Sequence, residues 1–122
     1  MESKKKTKLP KATKHLEEAL SQYKSNPSDL NFLTVSKAFE VLVEYAWREL
    51  KEEIEDQGLD APAPKMAIKQ AARLRLITEP ESWLDCINAR NDSVHDYFGI
   101  PREEYVALAQ KFLTLVGKMK MG

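Results

Sequence analysis

Arg90, Asn91, His95 and Tyr97 fall within eight consecutive positions of the stretch RNDSVHDYFG, residues 90–99. An imidazole titrates near neutral pH and can take or give a proton. A guanidinium grips a phosphate through two parallel hydrogen bonds and offsets negative charge that develops on it. An amide and a phenol can hold reacting groups in place. Together these side chains suit RNA cleavage without a metal ion, in which a ribose 2′-hydroxyl attacks the neighbouring phosphate. Arg90 and His95 are then the catalytic pair, Asn91 and Tyr97 position the reactants, and Asp96 either orients the His95 ring or faces solvent. The same residues would equally furnish the polar end of an ordinary helix, with Arg90 and His95 in structural hydrogen bonds.

Helical spacing limits how far one chain can assemble such a site. Arg90 and His95 are five positions apart, so on a regular helix they point roughly 140° away from each other. Asn91 and His95 share one face, with Asn88 a turn earlier, and Arg90 and Tyr97 share another. Asn91 also interrupts the apolar stripe between Ile87 and Val94. A polar group there must face a partner, a cavity or a second subunit. The simplest arrangement that gathers all four groups is a helix distorted near Gly99 and completed by the same segment of another copy.

The elements that must position these residues are helical. Ala12, Leu16, Ala19, Leu20 and Tyr23 recur at helical spacing until Asn26-Pro27. Ser28 is a suitable N-cap for a second helix, whose stripe runs Leu33, Phe39, Leu42, Val43, Ala46, Leu50 and Ile54 until Gly58 closes it. Pro64 suits the first turn of a short third helix carrying Met66, Ala67, Ala71 and Leu74. Thr78-Glu79-Pro80-Glu81 matches a capping box. The fourth helix then presents Trp83, Leu84, Ile87, Val94 and Phe98 before Gly99 breaks it. Pro101 starts a fifth, with Tyr105, Ala109, Phe112, Leu113 and Val116 on one face. No alternating run is long enough for a strand. The expected fold is all-α, an antiparallel four- to five-helix up-and-down bundle, with residues 1–10 as a flexible basic arm and 11–118 as one helical domain.

Composition narrows the function classes. With 122 residues, 43% hydrophobic and 31% charged, the chain has the balance of one folded domain rather than a disordered one. Its net charge is zero but uneven: residues 1–14 hold six lysines against Glu2, and residues 40–60 hold eight acids against Arg48 and Lys51. A surface uniformly suited to phosphate is thereby excluded, while the basic arm can contact RNA or simply aid solubility. The single cysteine, Cys86, allows no internal disulfide and no cysteine-rich zinc site, and a packed core role suits it. No run is apolar enough for a membrane span, and no signal peptide core follows the lysines, so the expected location is the cytoplasm. Neither a metal nor another cofactor is called for.

RNDSVHDY fits the Arg-x4-His-x-Tyr motif and so resembles HEPN-domain proteins. Phe39-Glu40-Val41-Leu42-Val43-Glu44-Tyr45-Ala46-Trp47-Arg48-Glu49-Leu50-Lys51 resembles the F-E-x-x-x-E-x-x-W-K-x-L-K helix of one HEPN branch. That branch comprises the nucleotidyltransferase substrate-binding proteins, often grouped with HepT-like toxins. Pro64 to Ala71, Leu76-Ile77 and Glu81-Ser82-Trp83-Leu84 continue the similarity, which covers about residues 12–116. Two positions depart from the pattern: Arg75 stands where a small residue, often glycine, is usual, and Asp96 where a hydroxyl residue is common. The resemblance implies a HEPN-type helical bundle, a homodimer with two Arg-x4-His motifs lining one cleft, and a cognate minimal nucleotidyltransferase of the kanamycin-nucleotidyltransferase-like type. It implies a toxin–antitoxin pair in which the HEPN protein is a metal-independent ribonuclease. The transferase neutralises it by attaching AMP to the motif tyrosine, here Tyr97. The resemblance equally allows a non-catalytic subunit that binds substrate or nucleotide for the transferase.

The remaining candidates have simpler roles. Trp47 and Trp83 lie near apolar stripes and suit packing more than base stacking. The run Glu49, Glu52, Glu53, Glu55, Asp56 suits a solvated face, and His15 should face water. Glu40 and Glu44, one turn apart, would point inward if their helix lines the cleft, and would then need a cation such as Arg90.

Overall fold

Short breaks between apolar helices leave the chain one way to bury its stripes, by folding each helix back on the last. The computed structural model describes residues 4–120. Five helices follow in order, α1 (Lys4–Ser25), α2 (Asp29–Asp56), α3 (Pro64–Arg73), α4 (Pro80–His95) and α5 (Arg102–Gly117), with no strand among the described residues. The all-α bundle expected from the periodicity is therefore the fold. Helix α2, about 42 Å long at 1.5 Å per residue, is the axis on which α1, α3, α4 and α5 all pack. That position explains why α2 buries Phe32, Val35, Phe39, Leu42, Val43, Ala46, Leu50 and Ile54, more than one stripe.

The core is held by aromatic edges meeting faces. Phe39 lies 5.3 Å from Tyr105 and 5.7 Å from Phe112, and Trp83 lies 5.0 Å from Phe112, each pair near perpendicular. Trp83 is thus a core residue, and Cys86, beside it on α4, is wholly buried. Burial pushes the Cys86 thiol up to about 12, with neighbouring Asp85 adding to the effect. On α5 the buried face is Tyr105, Ala109, Phe112 and Leu115, with Leu113 and Val116 half-buried. On α3, Ile68 is buried where Met66 was expected, and Met66 is exposed.

Several helix ends follow the sequence. Ser28 accepts the Asn31 amide at 3.1 Å, and Gly58 takes the left-handed conformation (φ 85°). The Gly58 and Leu59 amides then bond the Glu55 and Ile54 carbonyls, which terminates α2. Arg75 performs the same function after α3: its φ is 61°, and the Arg75 and Leu76 amides bond the Ala72 and Ala71 carbonyls. The position thus demands a left-handed conformation that glycine would adopt more easily than arginine.

Three boundaries differ. The arm expected at residues 1–10 is helical from Lys4 onward, and Met1–Ser3 lie outside the described residues. Pro10 removes one helical hydrogen bond, yet Leu9 packs on the core and Lys8 lies 5.7 Å from the Tyr45 ring, so tertiary contacts carry the helix through it. The capping box at Thr78 does not form. Glu79, not Thr78, is the N-cap, in the left-handed region (φ 55°), and its carboxylate reaches Lys111 at 2.7 Å and Lys118 at 3.7 Å, fastening the α3–α4 loop to α5. Finally, α4 ends at His95, not at Gly99.

Candidate functional site

The last three turns of α4 decide which motif residues face inward. Trp83, Cys86, Ile87 and Ser93 are buried, and Arg90 lies on the same stripe, so the buried face passes through Arg90 and Ser93 rather than through Asn91 and Val94. Val94 is 51% exposed, and Asn91 and His95 are exposed beside it. The polar pair turns inward because α2 offers polar partners at matching heights: Ser36, Glu40, Glu44 and Arg48, one turn apart along the helix.

Arg90 reaches across to α2, where its Nη2 donates to Glu44 Oε2 at 2.9 Å. Its Nη1 donates to Asn91 Oδ1 at 3.2 Å, while Nε is buried with no partner among the described residues. Glu44 is the cation-binding acid anticipated from the sequence, and it is shared. Arg48 Nε donates to its Oε1 at 2.7 Å and Trp47 Nε1 to its Oε2 at 3.2 Å. Burial raises the Glu44 carboxyl, but the Arg48 and Trp47 hydrogen bonds and the charges of Arg48 and Arg90 bring it below its usual value, so it stays ionised. The three donors also fix the direction from which Arg90 is held.

Beneath this pair lies a buried hydroxyl chain that the sequence did not reveal. Ser36 donates to Tyr105 Oη at 3.1 Å, Tyr105 donates to Ser93 Oγ at 3.2 Å, and Ser93 donates to the Arg90 carbonyl at 3.0 Å. Glu40 Oε2 stands 3.5 Å from both serine hydroxyls, at the outer limit of hydrogen bonding. Burial pushes the Tyr105 hydroxyl up, and the charge of Glu40 acts the same way against the two serine hydrogen bonds. Tyr105 reads from sequence as one more apolar-face residue. The signal that would have found the chain is the run Ser36, Glu40, Glu44, Arg48 at four-residue intervals.

Tyr97 and Phe98 lie past the helix, so Tyr97 does not share a helical face with Arg90. Asp96 accepts the Phe98 amide at 3.1 Å and thereby shapes this turn; no hydrogen bond joins it to His95 among the described residues. A Cβ at Gly99 would come within 2.9 Å of Asp96 Oδ2, so the tight turn needs a glycine there or a displaced carboxylate. Phe98 stacks on Phe32 with centroids 6.2 Å apart, and the Arg102 guanidinium lies over both rings while pairing with Asp29. The turn is anchored, yet Tyr97 is 39% and Phe98 58% exposed. Val94, His95, Tyr97 and Phe98 thus make an exposed, partly apolar end to α4. One chain holds Arg90 in place and leaves His95 facing away from it, as their separation requires.

Two larger hollows lie elsewhere: one of about 540 Å³ between α1 and α2, which His15 lines, and one of about 580 Å³ between α4 and α5. Neither is lined by Arg90, Asn91, His95 or Tyr97. Among the described residues, no three His, Cys, Asp or Glu side chains cluster closely enough to hold a metal ion, and no helix is long and apolar enough to cross a membrane.

A family model described as nucleotidyltransferase substrate binding protein like matches residues 4–121. The chain belongs to this family. The match spans all five helices, and it agrees with the HEPN branch indicated by Phe39–Lys51 and Arg90–Tyr97. None of the curated proteins matches the chain at a significant level. In this nucleotidyltransferase substrate-binding-like protein, Arg90, Asn91 and His95 lie in the last turns of α4 and Tyr97 just past it, with Arg90 supported from α2 by Glu44.

Proposed function

We propose that this chain is the HEPN-type member of a pair with a minimal nucleotidyltransferase, and that two copies form a metal-independent ribonuclease toxin held in check by that partner. The observation that carries the proposal is Arg90, oriented by Glu44 and Asn91 at the same end of α4 as an exposed His95. In the proposed dimer, His95 takes the proton from a ribose 2′-hydroxyl as its oxygen bonds to phosphorus, and a second imidazole gives a proton to the departing 5′-oxygen. Arg90 offsets the charge on the phosphate oxygens. Asn91 fixes Arg90 from the side. The exposed Tyr97 hydroxyl is the acceptor for neutralisation: it attacks the α-phosphorus of ATP on the partner, and pyrophosphate leaves.

The test is direct. Purified protein without its partner should cut single-stranded or transfer RNA with no metal added, and His95→Ala should abolish cutting while leaving the melting temperature unchanged. Intact RNA with the wild-type protein at high concentration would refute this. Light scattering at tens of micromolar should give a dimer mass. After co-expression with the transferase, intact mass should rise by AMP in the wild type and not in Tyr97→Phe.

A second reading is a non-catalytic subunit that binds substrate or nucleotide for the transferase, presumed by the family's description. It is favoured by the balance of charge, since Glu44 already offsets Arg90 and Asp96 adds a carboxylate beside His95. Nucleotide or transferase binding with RNA left intact would select it.

A further inference from the structure

The carboxylate that orients Arg90 holds a second guanidinium. Arg48 gives only its Nε to Glu44, and both of its Nη groups are without a hydrogen bond among the described residues. Its side chain is 56% exposed, yet it does not swing freely, because its guanidinium also lies 5.6 Å from the centroid of the largely buried Trp47 ring. A surface arginine in a simple pair with an acid one turn away adds little to stability. One anchored at both its Nε and its flat face is instead prepared to bind an anion. Because Arg48 and Arg90 are tied to opposite oxygens of one carboxylate, at 2.7 and 2.9 Å, their bonded nitrogens sit within about 8 Å of each other. Two guanidiniums against one carboxylate leave a positive charge at that place. Beside it a hollow of about 320 Å³ is lined by Lys8, Glu44, Tyr45, Arg48 and Glu49. Lys8 adds a further cation at its rim, and Glu49, largely buried in its wall, adds a second carboxylate.

We infer that Arg48 is a second phosphate-binding residue of this site, taking the phosphate next to the one held by Arg90 on a single RNA strand. The strand then runs from the end of α4 along α2 toward Lys8. The inference rests on the proposal that Arg90 contacts an RNA phosphate. It adds that the arginine of the α2 motif reads the strand rather than merely pairing with Glu44.

A short 2′-O-methyl single-stranded RNA, which has no free 2′-hydroxyl to attack, isolates binding from cutting. Affinity is measured at several salt concentrations for the wild type, Arg48→Gln, Arg48→Lys, Arg90→Gln and Lys37→Gln. Lys37 is an exposed cation on α2 that lines a different hollow and serves as the charge control. Arg48→Gln should weaken binding about tenfold and lower the salt slope by about one. Arg48→Lys should recover part of the loss, and Lys37→Gln should match the wild type. If Arg90→Gln loses binding while Arg48→Gln does not, or if Arg48→Gln and Lys37→Gln lose equally, the role of Arg48 falls and the RNA reading stands. If the wild type binds no RNA, both fall together.

Discussion

Replacing Glu44 by glutamine tests the central geometric claim, that one carboxylate organises the α2–α4 junction. The substitution keeps the size of the side chain but removes the charge and turns an NH₂ toward groups that are all donors. Arg90, 26% exposed and with its Nε already unpartnered, then loses its charged acceptor. A hydrogen bond to a charged group contributes about 1.5–3 kcal/mol, and the pair with the exposed Arg48 adds roughly 0.3–0.5 kcal/mol. The expected loss is therefore about 2–3 kcal/mol, or a fall in Tm of roughly 8–12 °C for a domain of this size. Thermal unfolding followed by circular dichroism measures it. A double-mutant cycle with Arg90→Gln should return a coupling of about 1–2 kcal/mol, and the cycle with Arg48→Gln under about 0.5 kcal/mol. The effect should also depend on pH. The folded carboxyl titrates below its ordinary 4.5, so its contribution is complete above that value and fades as pH falls through the folded value. Wild type and variant should thus converge in acid. A Tm change under 2 °C at neutral pH, or a gap that widens in acid, would refute the claim.

Three further outcomes follow from local geometry. Arg75→Gly should stabilise the protein by about 0.5–1 kcal/mol, because φ 61° costs a side chain more than glycine's extra unfolded-state entropy; denaturant titration measures the change. Cys86, fully buried with its thiol pushed up to about 12, should react with a disulfide reagent at pH 8 at least about a hundredfold more slowly than in the denatured chain. Tyr105→Phe should cost about 1–2 kcal/mol by leaving two buried serine hydroxyls short of a partner. No change in its stability would mean that the hydroxyl chain contributes nothing.

The sequence was most informative where one residue's chemistry decides a boundary. Ser28, Gly58 and Pro64 sit where a cap, a left-handed turn and a helical first turn are needed, and each does that work. It was least informative where partners distant in the chain compete with a local rule. Thr78-Glu79-Pro80-Glu81 matches a capping box, but Glu79 becomes the N-cap in place of Thr78, and Lys111 and Lys118, far along the chain, hold its carboxylate. Val94 is apolar and Ser93 is not, so periodicity assigns Val94 to the core. The acids and hydroxyls of α2 reverse that assignment, since buried polar groups are stable only opposite one another. Glu44 was legible as an acid in need of a cation, whereas Ser36 and Tyr105 became visible only when α5 was laid across α2.

That same reversal bears on the proposed dimer. Rotating α4 so that Arg90 and Ser93 face α2 forces His95 to the outside, with Val94 and the following Tyr97 and Phe98 around it. A distortion of the helix that brought His95 toward Arg90 within one chain would have to uncover Ser93 or withdraw Arg90 from Glu44, breaking the hydroxyl chain or the ion pair. Two rigid copies meeting at the exposed end of α4 avoid both losses. Each would cover the other's apolar side chains and present its imidazole to the other's guanidinium. The proposed site therefore demands that weakening self-association and removing His95 abolish cutting equally. Val94→Glu makes the comparison, because it charges the exposed patch while leaving the Arg90–Glu44 pair in place. A monomeric Val94→Glu protein that still cuts RNA at the wild-type rate would show that one chain suffices.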